Sequence, residues 1–221
     1  MVTWDAIDTV LLDMDGTLLD LYYDNTLWNK LLPTRYSEAN AVSLEEARAH
    51  LFAHMQAHLG KLHFYCIDYW AQFTGLDVAA LHAEEELVPL IRYRPGAERF
   101  LDWLRANGKR SILITNAHRA SLDVKNTHSQ LVDKLDVAIS CHDYGAPKES
   151  PVFWERLMRE HPYDPARTLF IDDNDSVLRA ADAAGVHHLI TVSQPDSGRP
   201  LREGLNYPAF NDFVELLPAH D

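Results

Sequence analysis

The chain has 221 residues and is 47% hydrophobic, so it can bury one full hydrophobic core and a small second domain. Its formal net charge of −13 argues against a nucleic-acid-binding or membrane-binding surface, because neutralising many phosphates requires a basic face. No apolar stretch approaches the roughly 18 residues of a membrane span, and acidic residues interrupt the N-terminus before one of signal-peptide length. With only two cysteines, Cys66 and Cys141, we expect a cytoplasmic protein with reduced thiols.

The first predicted strand is a short apolar run that ends in two acids. Ile7 and residues 10–12 have the length and character of a buried parallel strand, and Asp13, Asp15 and Gly16 follow it. Two acids held close together repel each other, so they coexist most readily around a hard cation such as Mg²⁺, or with one of them protonated. An ordinary strand end followed by a loop can show the same pattern, so this motif needs support from the rest of the chain.

Residues from about 22 to 92 predict helices with short breaks. The sequence Ser-Leu-Glu-Glu at 43–46 is a capping box, in which two side chains satisfy free backbone amides at a helix start. Two more helices are predicted near 64–73, ending at Gly75, and from 77 towards 90. Apolar residues recur every four positions after the capping box, at Ala47, Leu51, Met55 and Leu59.

Strands and helices alternate in the remainder of the chain. Apolar runs predict strands at residues 111–116, 137–140, 168–171 and 188–192. Helices are predicted between Pro95 and Gly108, after the N-caps Ser150 and Asn211, and up to Gly185. This alternation implies an α/β fold with a doubly wound parallel sheet and right-handed crossovers. We expect a core of residues 1–20 and 93–221, an all-helical insertion of residues 21–92, and a flexible stretch at 194–208.

Four segments bring polar residues to the same predicted edge of the sheet, where the carboxyl ends of parallel strands meet. Each has an ordinary explanation by itself, but the coincidence of all four is improbable. They are Asp13 with Asp15, Thr115 with Asn116, Lys148, and Asp172 with Asp173. Their order and spacing resemble the four motifs of the haloacid dehalogenase superfamily of phosphohydrolases. The resemblance implies a Rossmann-like core, a helical cap domain formed by the insertion, and Mg²⁺ as cofactor.

The resemblance also implies a role for each acid. Asp13 would attack phosphorus and form an aspartyl-phosphate, and Asp15 would protonate the leaving oxygen and then activate water. Mg²⁺ would be held by Asp13, by the backbone carbonyl of Asp15, and by Asp172 and Asp173, of which Asp173 is the favoured direct ligand. An acid at position 15 indicates phosphoryl transfer rather than dehalogenation, because a halide leaving group needs no proton.

The remaining motif residues would hold the phosphoryl group. Lys148, the Thr115 hydroxyl and backbone amides near Asn116 would bind its oxygens. Because phosphomutases keep the same two acids, a phosphomutase or a sugar-phosphate phosphatase is an alternative. A catalytically idle member that binds a phosphorylated ligand is another. The other cations that could bind phosphate are Arg94, Arg119 and Lys125.

Shorter stretches resemble the bacterial purine nucleotidases of this superfamily, which dephosphorylate GMP and IMP. They lie at residues 19–25, 65–70, 115–118 and 195–198. This likeness implies a small-molecule phosphate ester, a purine nucleotide, as substrate. The candidate substrate-binding residues are Asp24, Asn25, Tyr65 and Tyr69, although packing within the cap explains the aromatic side chains equally well.

Three histidines lie four residues apart on one predicted helix face, His50, His54 and His58. Histidines at helical spacing can bind zinc, but such a site needs a closed geometry and further partners that the sequence does not indicate. A solvated or substrate-facing stripe is the preferred interpretation.

Overall fold

Six parallel strands form one sheet in this computed structural model, which describes residues 2–218. They are β1 (Thr9–Leu12), β2 (Arg110–Thr115), β3 (Val137–Ser140), β4 (Thr168–Ile171), β5 (His188–Val192) and β6 (Ala209–Phe210). The spatial order is β3-β2-β1-β4-β5-β6, and Leu12 of β1 lies beside Leu113 of β2 and Ile171 of β4. The strand order reverses between β1 and β4, so the residues after these two strands meet in the crevice where ligands bind in such sheets.

Helices cover both faces of the sheet. Leu12 faces a hydrophobic cluster that contains Phe100, whereas Leu11 faces a second cluster that contains Phe153 and Leu178. Every residue of β1 is buried, because a parallel sheet between two helical layers has no solvated face. The predicted doubly wound fold is confirmed. The helices of these layers are α6 (Ala97–Ala106), α7 (Arg119–Ser129), α8 (Cys141–Tyr144), α9 (Pro151–Glu160) and α10 (Asp175–Ala183).

Residues 22–90 form several helices separated by short breaks, as predicted, and contribute no strand to the sheet. Tyr23, Leu51 and Trp70 belong to a third hydrophobic cluster, which these helices share. A π-helical stretch, Leu27–Leu31, joins the first two helices, and 3-10 turns occur at Leu62–Tyr65 and Val88–Leu90. The helices are α1 (Tyr22–Thr26), α2 (Leu32–Asn40), α3 (Leu44–His58), α4 (Ile67–Thr74) and α5 (Val78–His82).

The helix boundaries in this region follow local signals with one exception. Ser43 and Glu46 form the predicted capping box at the start of α3. Gly75 ends α4 in a left-handed conformation with φ of 72°, which glycine adopts without steric cost. The helix predicted from 77 towards 90 is wrong in length, because α5 ends at His82. Pro89 lacks a backbone donor and disfavours helical geometry before it, so only a 3-10 turn forms there.

The C-terminal region differs from the prediction in two places. Strand β6 is only two residues long and has no detectable periodicity in the sequence. The N-cap of the last turn is Asp212 rather than Asn211, because its side chain accepts from the amide of Val214 while Glu215 accepts from the amide of Asp212. The stretch 194–208, which the sequence predicted to be flexible, is tied to the core by hydrogen bonds from Arg202 to the Asp173 carbonyl and from the Ser197 amide to the Asp20 carboxylate. Within residues 2–218, no helix combines the length and apolar character needed to cross a bilayer.

Candidate active site

Three carboxylates converge at the carboxyl ends of two neighbouring strands. Asp13 follows β1, and Asp172 and Asp173 follow β4. One carboxylate oxygen from each residue lies within 4.8 Å of the other two. Asp13 and Asp172 are buried, and Oδ2 of Asp13 has no hydrogen-bond partner among the described residues. The structure therefore brings the first and last predicted motifs together around a buried, unpartnered oxygen.

This acidic group has the properties of a site for a hard cation. Burial raises the pKa of Asp13, raises the pKa of Asp172 to about 7 and raises the pKa of Asp173 well above its usual range. Neighbouring carboxylates add to each shift, because like charges disfavour ionisation. An oxygen-only donor set with one unpartnered oxygen fits Mg²⁺ better than a softer metal. Asp13, Asp172 and Asp173 are the residues that would hold it.

Lys148 lies between two of these acids. Its Nζ is 2.5 Å from Oδ1 of Asp13 and 2.7 Å from Oδ2 of Asp172. Burial disfavours the ammonium, but the charges of Asp13 and Asp172 outweigh burial and raise the pKa of Lys148. The lysine backbone is fixed as well, since its amide donates to Oδ1 of Asn116 and its carbonyl accepts from the indole of Trp154. Lys148 is therefore a fully charged donor held at the floor of the site.

Asn116 and Thr115 end β2 and shape the wall next to Lys148. The Asn116 side chain donates to Oε2 of Glu149 at 2.9 Å. The hydroxyl of Tyr65, from the helical residues 22–90, donates to the other Glu149 oxygen at 2.8 Å. Oγ1 of Thr115 accepts from a backbone amide two residues later, which tightens the turn after the strand. Glu149 thus connects the helical region to the wall of the site.

Asp15 belongs to a second electrostatic group, formed with Lys125 of α7 and Asp24 of α1. The Nζ of Lys125 lies 2.6 Å from Oδ1 of Asp15 and 2.7 Å from Oδ1 of Asp24. Burial and the charge of Asp24 raise the pKa of Asp15 to about 6, while the charge of Lys125 opposes the shift. Asp15 therefore binds and releases a proton more readily near neutral pH than an exposed aspartate does.

Gly16 sits where no side chain fits. Its φ is +88°, and a Cβ at this position would lie 2.8 Å from both Cγ and Oδ2 of Asp173. The glycine lets the loop after β1 approach the loop after β4 closely enough for their acids to converge.

A cavity of about 390 Å³ lies between these polar groups and the helical region. Its polar floor includes Asp13, Asp15, Lys148 and the pair after β4, and its opposite wall is mainly apolar. Of the candidate substrate-binding residues, Asp24, Asn25 and Tyr65 line it. The wall contributed by residues 21–82 includes Leu21, Trp28, Asn29, Met55, Leu59, Phe64, Ile67, Trp70 and His82.

Tyr69 and the three spaced histidines have a different environment. Tyr69 is not among the described residues that line the cavity, and its hydroxyl is within hydrogen-bond distance of His54 and His58. His50 stacks between Tyr36 and Phe73. The rings of His54 and Phe73 stack with centroids 3.5 Å apart. His50 is exposed, and His54 and His58 are half-buried. The histidines therefore pack in a partly solvated aromatic cluster outside the described cavity lining, which agrees with the solvated interpretation and not with the substrate-facing one.

Sequence reasoning missed the roles of Lys125 and Glu149. Lys125 is 110 residues from Asp15, and the sequence indicates it only as an alternative cation for phosphate. One signal was present, because Lys125 lies three residues after Leu122 and so shares the buried face of α7. A lysine on a buried helix face needs acidic partners, although the sequence cannot say which acids they are.

Comparisons with known proteins agree with this geometry. The family model described as haloacid dehalogenase-like hydrolase matches residues 7–185. The GMP/IMP nucleotidase YrfG of Escherichia coli K12 is 39% identical over 218 residues, which cover 99% of this chain and 97% of that protein. Phosphoglycolate phosphatase 1 of Pseudomonas aeruginosa is 27% identical over 58% of this chain and 47% of its own length. The crystal structure of a HAD phosphatase from Thermococcus onnurineus has a TM-score of 0.78, with 20% identity, and covers 95% of this chain and 96% of that one.

The matched region contains both loops that carry the clustered acids, Lys148 and the whole helical insertion. The similarity to the nucleotidase extends over nearly the full length of both chains. With the parallel sheet and the acids at its central crevice, these matches show that the chain belongs to the haloacid dehalogenase-like hydrolase family.

Proposed function

We propose that this protein is a Mg²⁺-dependent phosphomonoesterase that hydrolyses purine nucleoside 5′-monophosphates, GMP and IMP, through an aspartyl-phosphate on Asp13. The observation that carries the proposal is the buried Asp13 carboxylate at the cavity floor, with one oxygen on Lys148 and the other unpartnered beside two more acids. The near full-length similarity to a GMP/IMP nucleotidase supports the nucleotide class of the substrate.

Asp13 is the nucleophile in this proposal, and Lys148 keeps it competent. Burial favours a protonated, unreactive Asp13, but the ammonium of Lys148 at 2.5 Å favours the carboxylate. Asp13, the Asp15 carbonyl, Asp172 and Asp173 would hold Mg²⁺, whose positive charge would offset repulsion between carboxylate and phosphate. Lys148, the Thr115 hydroxyl and amides near Asn116 then hold the phosphoryl oxygens in line with Asp13.

Asp15 moves the proton in both half-reactions. It gives a proton to the leaving ribose oxygen as the aspartyl-phosphate forms, and it takes one from the water that hydrolyses this intermediate. A pKa of about 6 suits a group that must be protonated in one step and ionised in the next. Lys125 holds the carboxylate in place. Burial raises its pKa most, and the charges of Asp24 and Lys125 then shift that pKa in opposite directions.

The helical residues 21–92 are proposed to act as a cap that encloses the substrate, over a core of residues 1–20 and 93–221. The cavity volume is in the range of small-ligand sites. Trp28 and Phe64 provide flat apolar surfaces on which a base can stack. Asp24 reaches the cavity but already accepts from Lys125, so we expect it and Asn25 to share recognition of the purine edge. The Tyr65 hydroxyl donates to Glu149. Tyr69 contacts His58 away from the described cavity lining, so its proposed role is to stabilise the packing of the cap.

We also propose a cytoplasmic location, which the two free cysteines support. The similarity to a GMP/IMP nucleotidase supports a small phosphate ester as the partner.

The test is a substrate panel at one Mg²⁺ concentration. We expect kcat/KM for GMP and IMP to exceed that for AMP, UMP and a hexose phosphate clearly, because guanine and hypoxanthine carry an N1–H donor and adenine has an acceptor there. Chelation should abolish turnover and added Mg²⁺ should restore it. Equal rates for AMP, or a hexose phosphate at the top of the panel, would contradict the purine assignment while leaving a phosphatase. A hexose phosphate converted to its isomer without phosphate release would favour a phosphomutase, and no turnover of any ester would favour a binding protein.

A further inference from the structure

A second group of metal-ligating side chains lies outside the acidic site, at the junction of the helical cap and the core. One ligand atom from each of Cys66, His118 and His142 lies within 4.8 Å of the other two. Cys66 precedes α4 of the cap, whereas His118 precedes α7 and His142 lies in α8 of the core. Among the described residues, this is the one such group that contains sulfur and nitrogen donors.

The cysteine and one of the two histidines have donor atoms that are free to take a ligand. Cys66 is a free, partly buried thiol. Nε2 of His142 is buried and has no hydrogen-bond partner in the described part of the chain, which is costly for a polar atom unless a ligand meets it. The rings of His118 and His142 are edge to face with centroids 4.9 Å apart, so their nitrogens approach without the rings stacking. The chain thus holds a thiol and two imidazoles around one point.

We propose that Cys66, His118 and His142 form a binding site for Zn²⁺ that links the cap to the core. A thiolate with two neutral imidazoles is a donor set that selects zinc over magnesium, in contrast to the oxygen-only acidic site. Three protein ligands leave a fourth position open. Asp68, whose Oδ2 is 3.9 Å from Nε2 of His118, is placed to fill it or to orient a bound water.

Binding at this site has a defined proton balance and no redox change. The Cys66 thiol loses its proton to solvent as the sulfur–zinc bond forms. Nδ1 of His118 accepts from the amide of Ala120 at 3.3 Å as the N-cap of α7. Coordination through Nε2 places the ring proton on Nδ1 and gives up this long contact. Zinc therefore replaces one weak local hydrogen bond with a bond between two parts of the fold.

The position of the site predicts its effect on turnover, and this second step rests on the proposed function. His118 also lines the cavity, so the zinc site lies at its margin. A metal that bridges Cys66 of the cap and two histidines of the core would hold the cap against the core. Because opening for substrate entry and product release commonly limits turnover in enzymes with lids, bound Zn²⁺ should inhibit the enzyme.

The binding test uses Co²⁺ as a spectroscopic substitute for Zn²⁺ with the full chain. We expect one equivalent of Co²⁺ to produce a thiolate-to-metal charge-transfer band, and Zn²⁺ to abolish it by displacement. Cys66→Ser should lose the band, and His142→Gln should weaken Co²⁺ binding at least tenfold. Cys141→Ala is the matched control, since it removes the other thiol and should keep the band. The site is refuted by the absence of the band in the wild type, or by its persistence in Cys66→Ser.

The effect on turnover is tested separately with an aryl phosphate in excess Mg²⁺. Zn²⁺ should lower wild-type kcat severalfold and should have a much smaller effect on Cys66→Ser. Equal Zn²⁺ inhibition of both would overturn the inhibitory role and place that inhibition at the acidic site. If zinc-free protein shows no turnover of the aryl phosphate in excess Mg²⁺, the phosphatase proposal is contradicted. The Co²⁺ band tests the zinc site independently of that result.

Discussion

The charge of Lys125 distinguishes Asp15 from the other acids of the site. Lys148 pairs with Asp13 and Asp172, beside which Asp173 lies, whereas Asp15 faces a lysine that it shares with Asp24 of the proposed cap. Two carboxylates with neighbouring positions in the sequence therefore have different electrostatic environments. That separation supports the proposed division of roles, with nucleophilic attack by Asp13 and proton transfer by Asp15.

The first prediction concerns the nucleophile. Asp13→Asn should lower kcat on the order of 10⁴-fold or more, because an amide cannot form the aspartyl-phosphate. The variant should stay folded, since Lys148 keeps its contact with Asp172. Phosphate release and a thermal unfolding curve are measured on the same sample. Substantial turnover in a well-folded variant would remove Asp13 from this role.

The second prediction concerns the pKa of Asp15. Lys125→Met removes a charge that favours the Asp15 carboxylate, so its pKa should rise above about 6. Because the reaction needs protonated Asp15, the alkaline limb of the kcat/KM profile should move to higher pH by about one unit. Asp24→Asn removes a charge that raises this pKa, so the limb should move to lower pH. Profiles are measured with an aryl phosphate, which avoids any effect on base recognition. Shifts in the same direction, or none, would contradict the assignment of Asp15.

At the scale of elements, the loop after β1 must approach the loop after β4 closely. Gly16 makes this approach possible, and the clash of a Cβ with Asp173 gives a third prediction. Gly16→Ala should displace the Asp173 carboxylate, raise the Mg²⁺ concentration needed for half-maximal activity at least tenfold, and lower stability by about 1 kcal/mol.

Gly185 provides the matched control for backbone strain. Its φ is +91°, close to that of Gly16, but a Cβ there would meet nothing within 4 Å. Gly185→Ala should therefore cost similar stability and leave the Mg²⁺ requirement unchanged. If both variants change the Mg²⁺ requirement equally, general loosening of the fold rather than displacement of Asp173 is responsible.

At the scale of the whole molecule, two tyrosines of the proposed cap differ in whether they contact the core. The hydroxyl of Tyr65 reaches Glu149 of the core, whereas the hydroxyl of Tyr69 lies within hydrogen-bond distance of His54 and His58 on the same helical region. Because a hydrogen bond to a charged group contributes about 1.5–3 kcal/mol, the Tyr65 contact is strong enough to influence the position of the cap.

The fourth prediction compares the two tyrosines. Tyr65→Phe should lower kcat/KM for the nucleotide roughly tenfold, which corresponds to about 1.4 kcal/mol of lost cap–core interaction. Tyr69→Phe removes the same atom from a tyrosine four residues away and should change kcat/KM much less. Equal losses in both variants would show that cap packing, rather than the bond to Glu149, controls substrate binding.

Much of the fold and of the core site was determined by the sequence alone. Buried parallel strands have short apolar runs, and the run at 10–12 ends in the acids that the sheet places at its edge. Motif order specified which loops share that edge, because carboxyl ends of parallel strands always lie together. Two helix ends were also predicted from local sequence. The capping box at Ser43 follows from hydrogen bonding of the first free amides of α3, and the end of α4 at Gly75 follows from the positive φ that glycine allows.

Tertiary structure alone decided the remaining features, which depend on contacts across long stretches of chain. Lys125 meets Asp15 over 110 residues, and Cys66 meets His118 and His142 across the cap–core boundary. Periodicity shows which face of a helix is buried, but not what that face meets. The position of α7 against the loop after β1, and of α4 against α8, is set by packing of the whole molecule. For this reason the sequence determined which acids and which lysine form the cavity floor, and only the assembled fold decided which side chains surround them.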